Sequence, residues 1–230
     1  MGIKERQERD REAVRRAILD AARELFVAEG FQNVSIRKIA ERIEYSPAAI
    51  YGYFASKDDI FFALAAEGFH ILAHGVVAAV RDVPDPFERL RRGLWAFYQF
   101  AKTHPEYFAL MFLDRSVPSL TQDFQRFEFF QQTTARAEAD IRACMARGQF
   151  SSAIDPAAAL HVLWAGVLGA AAIGLAQRLA PGESPDALAR DVLESLLAGF
   201  TTNVRTTFVA ADCPLVASEP AALPETTKHA

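Results

Sequence analysis

Apolar residues in this chain return every three or four positions and almost never every second one. Between Asp10 and Glu29, Val14, Ile18, Ala21 and Leu25 recur at i, i+4, i+7 and i+11, with Ala17, Ala22 and Phe26 widening the stripe. Such spacing marks a helix that buries one face, and the same periodicity runs through the rest of the chain. The fold is therefore read as all-α, with about nine helices.

Breakers divide the pattern. Gly30 closes the first helix. Ser35 caps the short segment SIRKIAERI, and Ser46-Pro47 opens PAAIYGYF. Ser56, with Asp58 and Asp59 in the first turn, opens a helix to about Arg81. Beyond the Pro84 and Pro86 break, helices are predicted over 87–102, 106–114, 119–147, 156–179 and 184–208, ended or opened by His104-Pro105, Pro118, Gly148, Asp155-Pro156 and Pro181-Gly182. The composition of 211–230, rich in Pro, Ala, Thr and Ser, predicts a disordered tail. The expected organisation is a small head over 10–55 and a helical body over 56–210. No internal repeat is present.

Charge narrows the partners. The net charge is −4, which argues against a protein that coats nucleic acid over its whole surface but leaves room for a local basic patch. The first 60 residues hold eleven Lys/Arg and eleven Asp/Glu, so the whole deficit falls on the body. Cys144 and Cys213 are too few and too distant for a disulfide framework, and a reduced, cytoplasmic compartment is the simple expectation. The N-terminal MGIKERQERDREAVRR has no apolar core of a signal peptide. Residues 157–176 run 20 positions without a formal charge, long enough to span a membrane. They are mostly Ala and Gly with His161 among them, so they are read as a buried helix at a subunit interface, with no membrane partner.

The two short segments carry the functional signal. Only Glu44-Tyr45-Ser46 separates them, and their apolar positions are Ile36, Ile39, Ala40, Ile43 and then Ile50. Two small helices crossing over a minimal turn and propped by a third form a helix-turn-helix. Ala48 and Ala49 leave the front of the second helix slim enough to enter a major groove, and a methyl can touch thymine. The hydroxyls of Tyr51 and Tyr53 and the ammonium of Lys57 are candidate phosphate contacts. Phe54 is expected in the core. KERQERDRE is read as a solvated helix start, with a DNA-contacting arm as the other reading.

The segments AILDAARELFVAEGF and SIRKIAERIEYSPAAIYGYFASKDDI together resemble the DNA-binding domain of the TetR family of bacterial transcriptional regulators, over roughly Arg15 to Leu64. The resemblance implies a homodimer reading double-stranded DNA at a palindromic operator, and a helical C-terminal domain for a small-molecule effector and dimerisation. It puts Ser35 and Arg37 at the DNA edge, Ser46, Pro47, Ala48 and Ala49 on or near bases, and Tyr51, Tyr53 and Lys57 on phosphates. Tyr45 stands where members more often carry a small apolar residue, and Gly52 where they usually carry a larger one.

Residues 87–130 are crowded with aromatics. In a helical bundle a ligand site lies between helices and is mostly apolar. Tyr98, Phe108, Phe112, Phe127, Phe130, His161 and Trp164 are the candidate lining, for an apolar or aromatic effector. Glu67, His70 and His74 share one helical face, but a metal site there is disfavoured, and no cofactor is expected. The apolar faces of the last two helices, with Gly166, Gly169 and Ala170, are read as the dimer-forming surface. No nucleophile elbow, P-loop or dinucleotide fingerprint occurs, so the chain is not read as an enzyme. The function expected is a ligand-responsive transcriptional regulator, a repressor released by a small molecule; the alternative is a helical interaction protein with weakened DNA binding.

Overall fold

The computed structural model describes residues 2–117 and 128–202, and of Ile3 and 128–130 the backbone alone. Nine α-helices stand among these residues: α1 Ile3–Glu29, α2 Ile36–Arg42, α3 Pro47–Ile50, α4 Lys57–Val80, α5 Pro86–Thr103, α6 Pro105–Phe108, α7 Glu128–Ala146, α8 Pro156–Leu175 and α9 Pro185–Thr201. A short 3-10 turn, Phe31–Asn33, follows α1, and a π-helix, Ala109–Leu113, continues α6.

Helix starts follow local chemistry. Ser35, Ser46, Ser56, Asp85, Asp155 and Ser184 each accept a hydrogen bond from a backbone N–H three residues on. Such a cap contributes about 1 kcal/mol. Proline fills the first helical position of α3, α5, α6, α8 and α9, where its missing N–H leaves nothing unsatisfied.

Several boundaries differ from the sequence expectation. The charged run before Asp10 is helical, so α1 begins at Ile3. The predicted 106–114 helix is split, with Asp114 N–H donating to Ala109 O at 2.8 Å across the π turn. The apolar helix ends at Leu175 rather than near 179. Gln177 takes a left-handed φ of 51° and Arg178 N–H reaches back to Ile173 O at 3.1 Å, closing the last turn. Residues 118–127, the end of the predicted last helix beyond 202 and the predicted tail lie outside the described residues.

The head and body share one continuous core. The first turns of α4 bring Ile60 and Phe61 into the head, where the Phe61 ring sits 5.7 Å from Phe26 and 4.9 Å from Phe31, both edge-on. Farther along, α4 packs on α5, α5 on α7 and α8, and α8 on α9. Both α4 and α8 are long and apolar enough to span a membrane, and both are packed into this core. Gly166 serves the α8–α9 contact within the chain: a Cβ there would lie 2.3 Å from Leu196 Cδ1. Ala170 is buried, whereas Gly169 faces open space and Ile173 is exposed.

Candidate DNA interface and effector cavity

The head presents a slim helix on a rigid prop. Ile39 and Ala40 of α2 and Ile50 of α3 are fully buried, with α2 packed on α1 and on α3. The turn between α2 and α3 is closed by Tyr45 N–H donating to Ala40 O at 2.9 Å, with Glu44 at a left-handed φ of 58°. A non-glycine residue there costs roughly 1–2 kcal/mol. With the turn set, Ser35, Arg37, Ser46, Pro47 and Ala48 all stand exposed, Ala49 is half-buried, and Tyr51 is 57% exposed. Arg37 donates to Glu41 at 2.8 Å, a surface pair that DNA can exchange.

Two expected phosphate contacts are more engaged. Tyr53 is half-buried under the guanidinium of Arg11, 5.8 Å from its ring, and Phe54 is core, with Arg15 5.3 Å away. The N-terminal part of α1, Arg11 within the charged run and Arg15 after it, is thus brought beside the reading helix. Lys57 donates to Phe31 O at 2.9 Å and Val34 O at 3.1 Å over the Phe31 ring. Two of its three donors tie the 3-10 turn to α4. Gly52 lies past the end of α3, so its flexibility falls outside that helix.

In the body, α4, α5, α7, α8 and the π-helix enclose a cavity of about 160 Å³. Leu72, Val76, Leu94, Phe97, Phe112 and Trp164 form its apolar wall, and Thr133, Thr134, His161 and the Arg89–Asp140 pair its polar part. Asp140 is only 8% exposed, and Arg89 Nε donates to it at 2.9 Å. That bond holds the guanidinium's pKa above its ordinary value. Of the lining residues expected from sequence, Phe112, His161 and Trp164 meet at the cavity. Phe108 stands behind the wall, 5.5 Å from Phe97 and 5.2 Å from Phe112. Tyr98 does not line it: the side chain turns to α9, where its hydroxyl donates to Asp186 at 2.7 Å. Phe127 and the Phe130 side chain lie outside the described residues.

A polar ring joins head to body. Arg16 of α1 donates to Glu67 of α4 at 2.6 Å and, through two nitrogens, to Asp20 at 2.6 and 3.0 Å. Arg23 donates to Asp20 at 3.0 Å and to the hydroxyl of Tyr107 on α6 at 3.0 Å, and Tyr107 donates to Glu67 at 2.8 Å. The Arg16 bond holds the Asp20 carboxyl below its usual range, and burial, then the Glu67 bond, raise the Tyr107 phenol. Close by, Gly68 lets α4 touch α6 and the π-helix: a Cβ there would meet Tyr107 Cδ1 of α6 at 3.0 Å and Met111 Sδ of the π-helix at 2.4 Å. Glu67, His70 and His74 share a helical face in the sequence, but both histidines are exposed and Glu67 is committed to this ring. No group of three metal-ligating residues occurs among the described residues.

Two family models match the chain: bacterial regulatory proteins of the tetR family over residues 18–64, and a tetracyclin repressor-like C-terminal domain over 90–196. The HTH-type transcriptional repressor Rv1474c of Mycobacterium tuberculosis is 29% identical over 185 residues, 77% of this chain and 88% of that protein. The HTH-type transcriptional regulator HbdR of Aromatoleum sp. is 30% identical over 136 residues, 58% of each chain. The structure of the fatty acid degradation regulator FadR from Bacillus halodurans superposes with a TM-score of 0.67 at 18% identity, covering 80% of this chain and 95% of that one. A helix-turn-helix head on a cavity-bearing helical body, matched at both ends by these models, makes this chain a member of the TetR family of transcriptional regulators.

Proposed function

We propose that the protein is a homodimeric repressor that holds a palindromic operator in the cytoplasm and releases it when a small apolar molecule fills the body cavity. The observation that carries this reading is the pairing of an exposed, slim α3 with an apolar cavity, both attached to α4. The contacts assigned to DNA are Ser35, Arg37, Ser46, Pro47, Ala48, Ala49 and Tyr51, with Arg11, Tyr53 and Lys57 at the margin. Two heads on a dimer read half-sites about 34–36 Å apart, so any tilt of α4 changes the fit. The π turn carries Phe112 on the cavity wall, and Tyr107 lies just before it in the polar ring with α1. A ligand that displaces Phe112 therefore pulls on the head. It shifts the equilibrium only as far as its affinities for the two states differ. The open face of α8 around Gly169 and Ile173 supplies the dimer contact.

Fluorescence anisotropy on the DNA flanking the protein's own gene, against random DNA, tests this from about 50 to about 200 mM salt. Selective binding that weakens with salt and is lost in Tyr51→Ala supports the reading. Equal weak binding to all DNA, including a selected genomic fragment pool, rejects it in favour of an interaction protein.

A further inference from the structure

Beyond its apolar wall, the cavity has a charged mouth. Val80, Arg89 and Arg136 line both the cavity and a cleft of about 480 Å³, so the two spaces adjoin at these residues. Arg81, Asp82, Val83 and Pro84 complete the cleft with Val77. The three guanidiniums are not equivalent. Arg89 is consumed: Nε and one terminal nitrogen go to Asp140, and the other terminal nitrogen donates to Val83 O and Pro84 O, both at 3.0 Å. Arg81 and Arg136 are exposed and have no carboxylate partner among the described residues. The Arg89–Asp140 pair is neutral in sum, and Asp82 is the remaining acid, so the described charges of the mouth leave one net positive charge.

We infer that the effector is an amphiphilic carboxylate whose apolar part enters the cavity and whose anionic head lies between Arg81 and Arg136 in the cleft. This rests on the reading of the cavity as the effector site. The inner space of about 160 Å³ sets the tail. An apolar protein cavity of nearly that size takes a single benzene ring, so a monocyclic aryl group or a short alkyl chain fits. Apart from Arg136 at its edge, the described walls carry only the paired charges of Arg89 and Asp140, and a head buried deeper would be expensive to desolvate. In the cleft the head keeps water and gains charge-assisted donors from guanidiniums.

Isothermal titration calorimetry of the full chain with octanoate against octanol, and phenylacetate against phenylethanol, tests this. The acid of each pair is expected to bind about tenfold or more tighter at about 50 mM salt, with the gap narrowing at about 500 mM as the exposed guanidiniums are screened. In an Arg81→Gln, Arg136→Gln variant, checked for native helicity and melting temperature, acid and alcohol should bind alike. Equal or tighter binding of the alcohols to the unmodified protein overturns the inference but leaves the cavity as the effector site. Discrimination that survives the double substitution overturns the assignment of the head to these arginines. Failure of all four compounds to bind overturns both this inference and the reading of the cavity.

Discussion

In the head, Ile18, Ile39, Ile50 and Phe61 close over one another with no exposure; in the body, comparable side chains on α4, α5 and α8 stop short of one another around a void. Close-packed interiors are the rule, and core stability falls by about 24 cal/mol for each Å³ left empty. The body forgoes part of that packing around its cavity of about 160 Å³. The head has to hold one geometry against DNA, so it is filled. On the proposed function, the body has to admit a molecule and respond to it, which an unfilled core allows. Beside the apolar core that the two share along α4, a partly exposed polar ring also ties them together. Of the Arg16–Glu67–Tyr107–Arg23 ring, the partly exposed Arg16 and Arg23 ion pairs can exchange with water at little cost, whereas the bonds of the buried Tyr107 cannot.

This contrast is open to direct attack. Phe61→Ala should cost about 3–5 kcal/mol in urea unfolding, because the head offers no slack around it. Leu94→Ala, on the cavity wall, should fall nearer 2 kcal/mol, since it widens a space that already exists. Equal losses at the two sites would erase the distinction between a filled and an unfilled core.

Next in size, Tyr107→Phe removes two bonds of the ring while keeping its buried aromatic body. Stability should change by about 1 kcal/mol, but the factor by which ligand weakens DNA binding should shrink severalfold, a loss of about 1 kcal/mol of coupling. If coupling is unchanged in anisotropy titrations with and without ligand, the ring is a structural tie and not the route between the sites. Glu67→Gln, which keeps an acceptor for Tyr107 but drops the charge facing Arg16, should give a smaller change in the same assay.

Gly93 lines the cavity from α5, and a Cβ there would meet Val80 and Val76 at 3.7 and 3.8 Å, ordinary contact distances. Gly93→Ala should therefore raise stability by about 1 kcal/mol through helix propensity while narrowing the cavity and weakening effector binding. The smallest effect belongs to the head. Glu44→Gly relieves the left-handed turn but adds freedom to the unfolded chain, for a net gain of about 0.5 kcal/mol in the urea midpoint, with DNA affinity unaltered.

Local decisions could be read from short stretches of the chain. Ser46-Pro47, Asp85-Pro86 and Asp155-Pro156 place helix starts because cap and first turn lie within four residues of each other. The helix-turn-helix was legible for the same reason: its apolar positions, its turn and its exposed face span fewer than 20 residues. The body was legible only as helices. Tyr98 reads as a cavity residue by composition, yet its hydroxyl is drawn away by Asp186, 88 positions along. Gly166 reads as a subunit contact, yet it is spent on Leu196 of the same chain. Lys57 matches a phosphate contact by motif, yet two carbonyls more than 20 residues upstream hold it. Glu67 shares a helical face with His70 and His74 in sequence, but Arg16 and Tyr107 claim it from 51 and 40 residues away. Each of these choices depends on which helices meet and at what depth. Helical period reports which face of a helix is buried, not what the face is buried against, so the partners, and with them the cavity and its charged mouth, were decided by the tertiary structure.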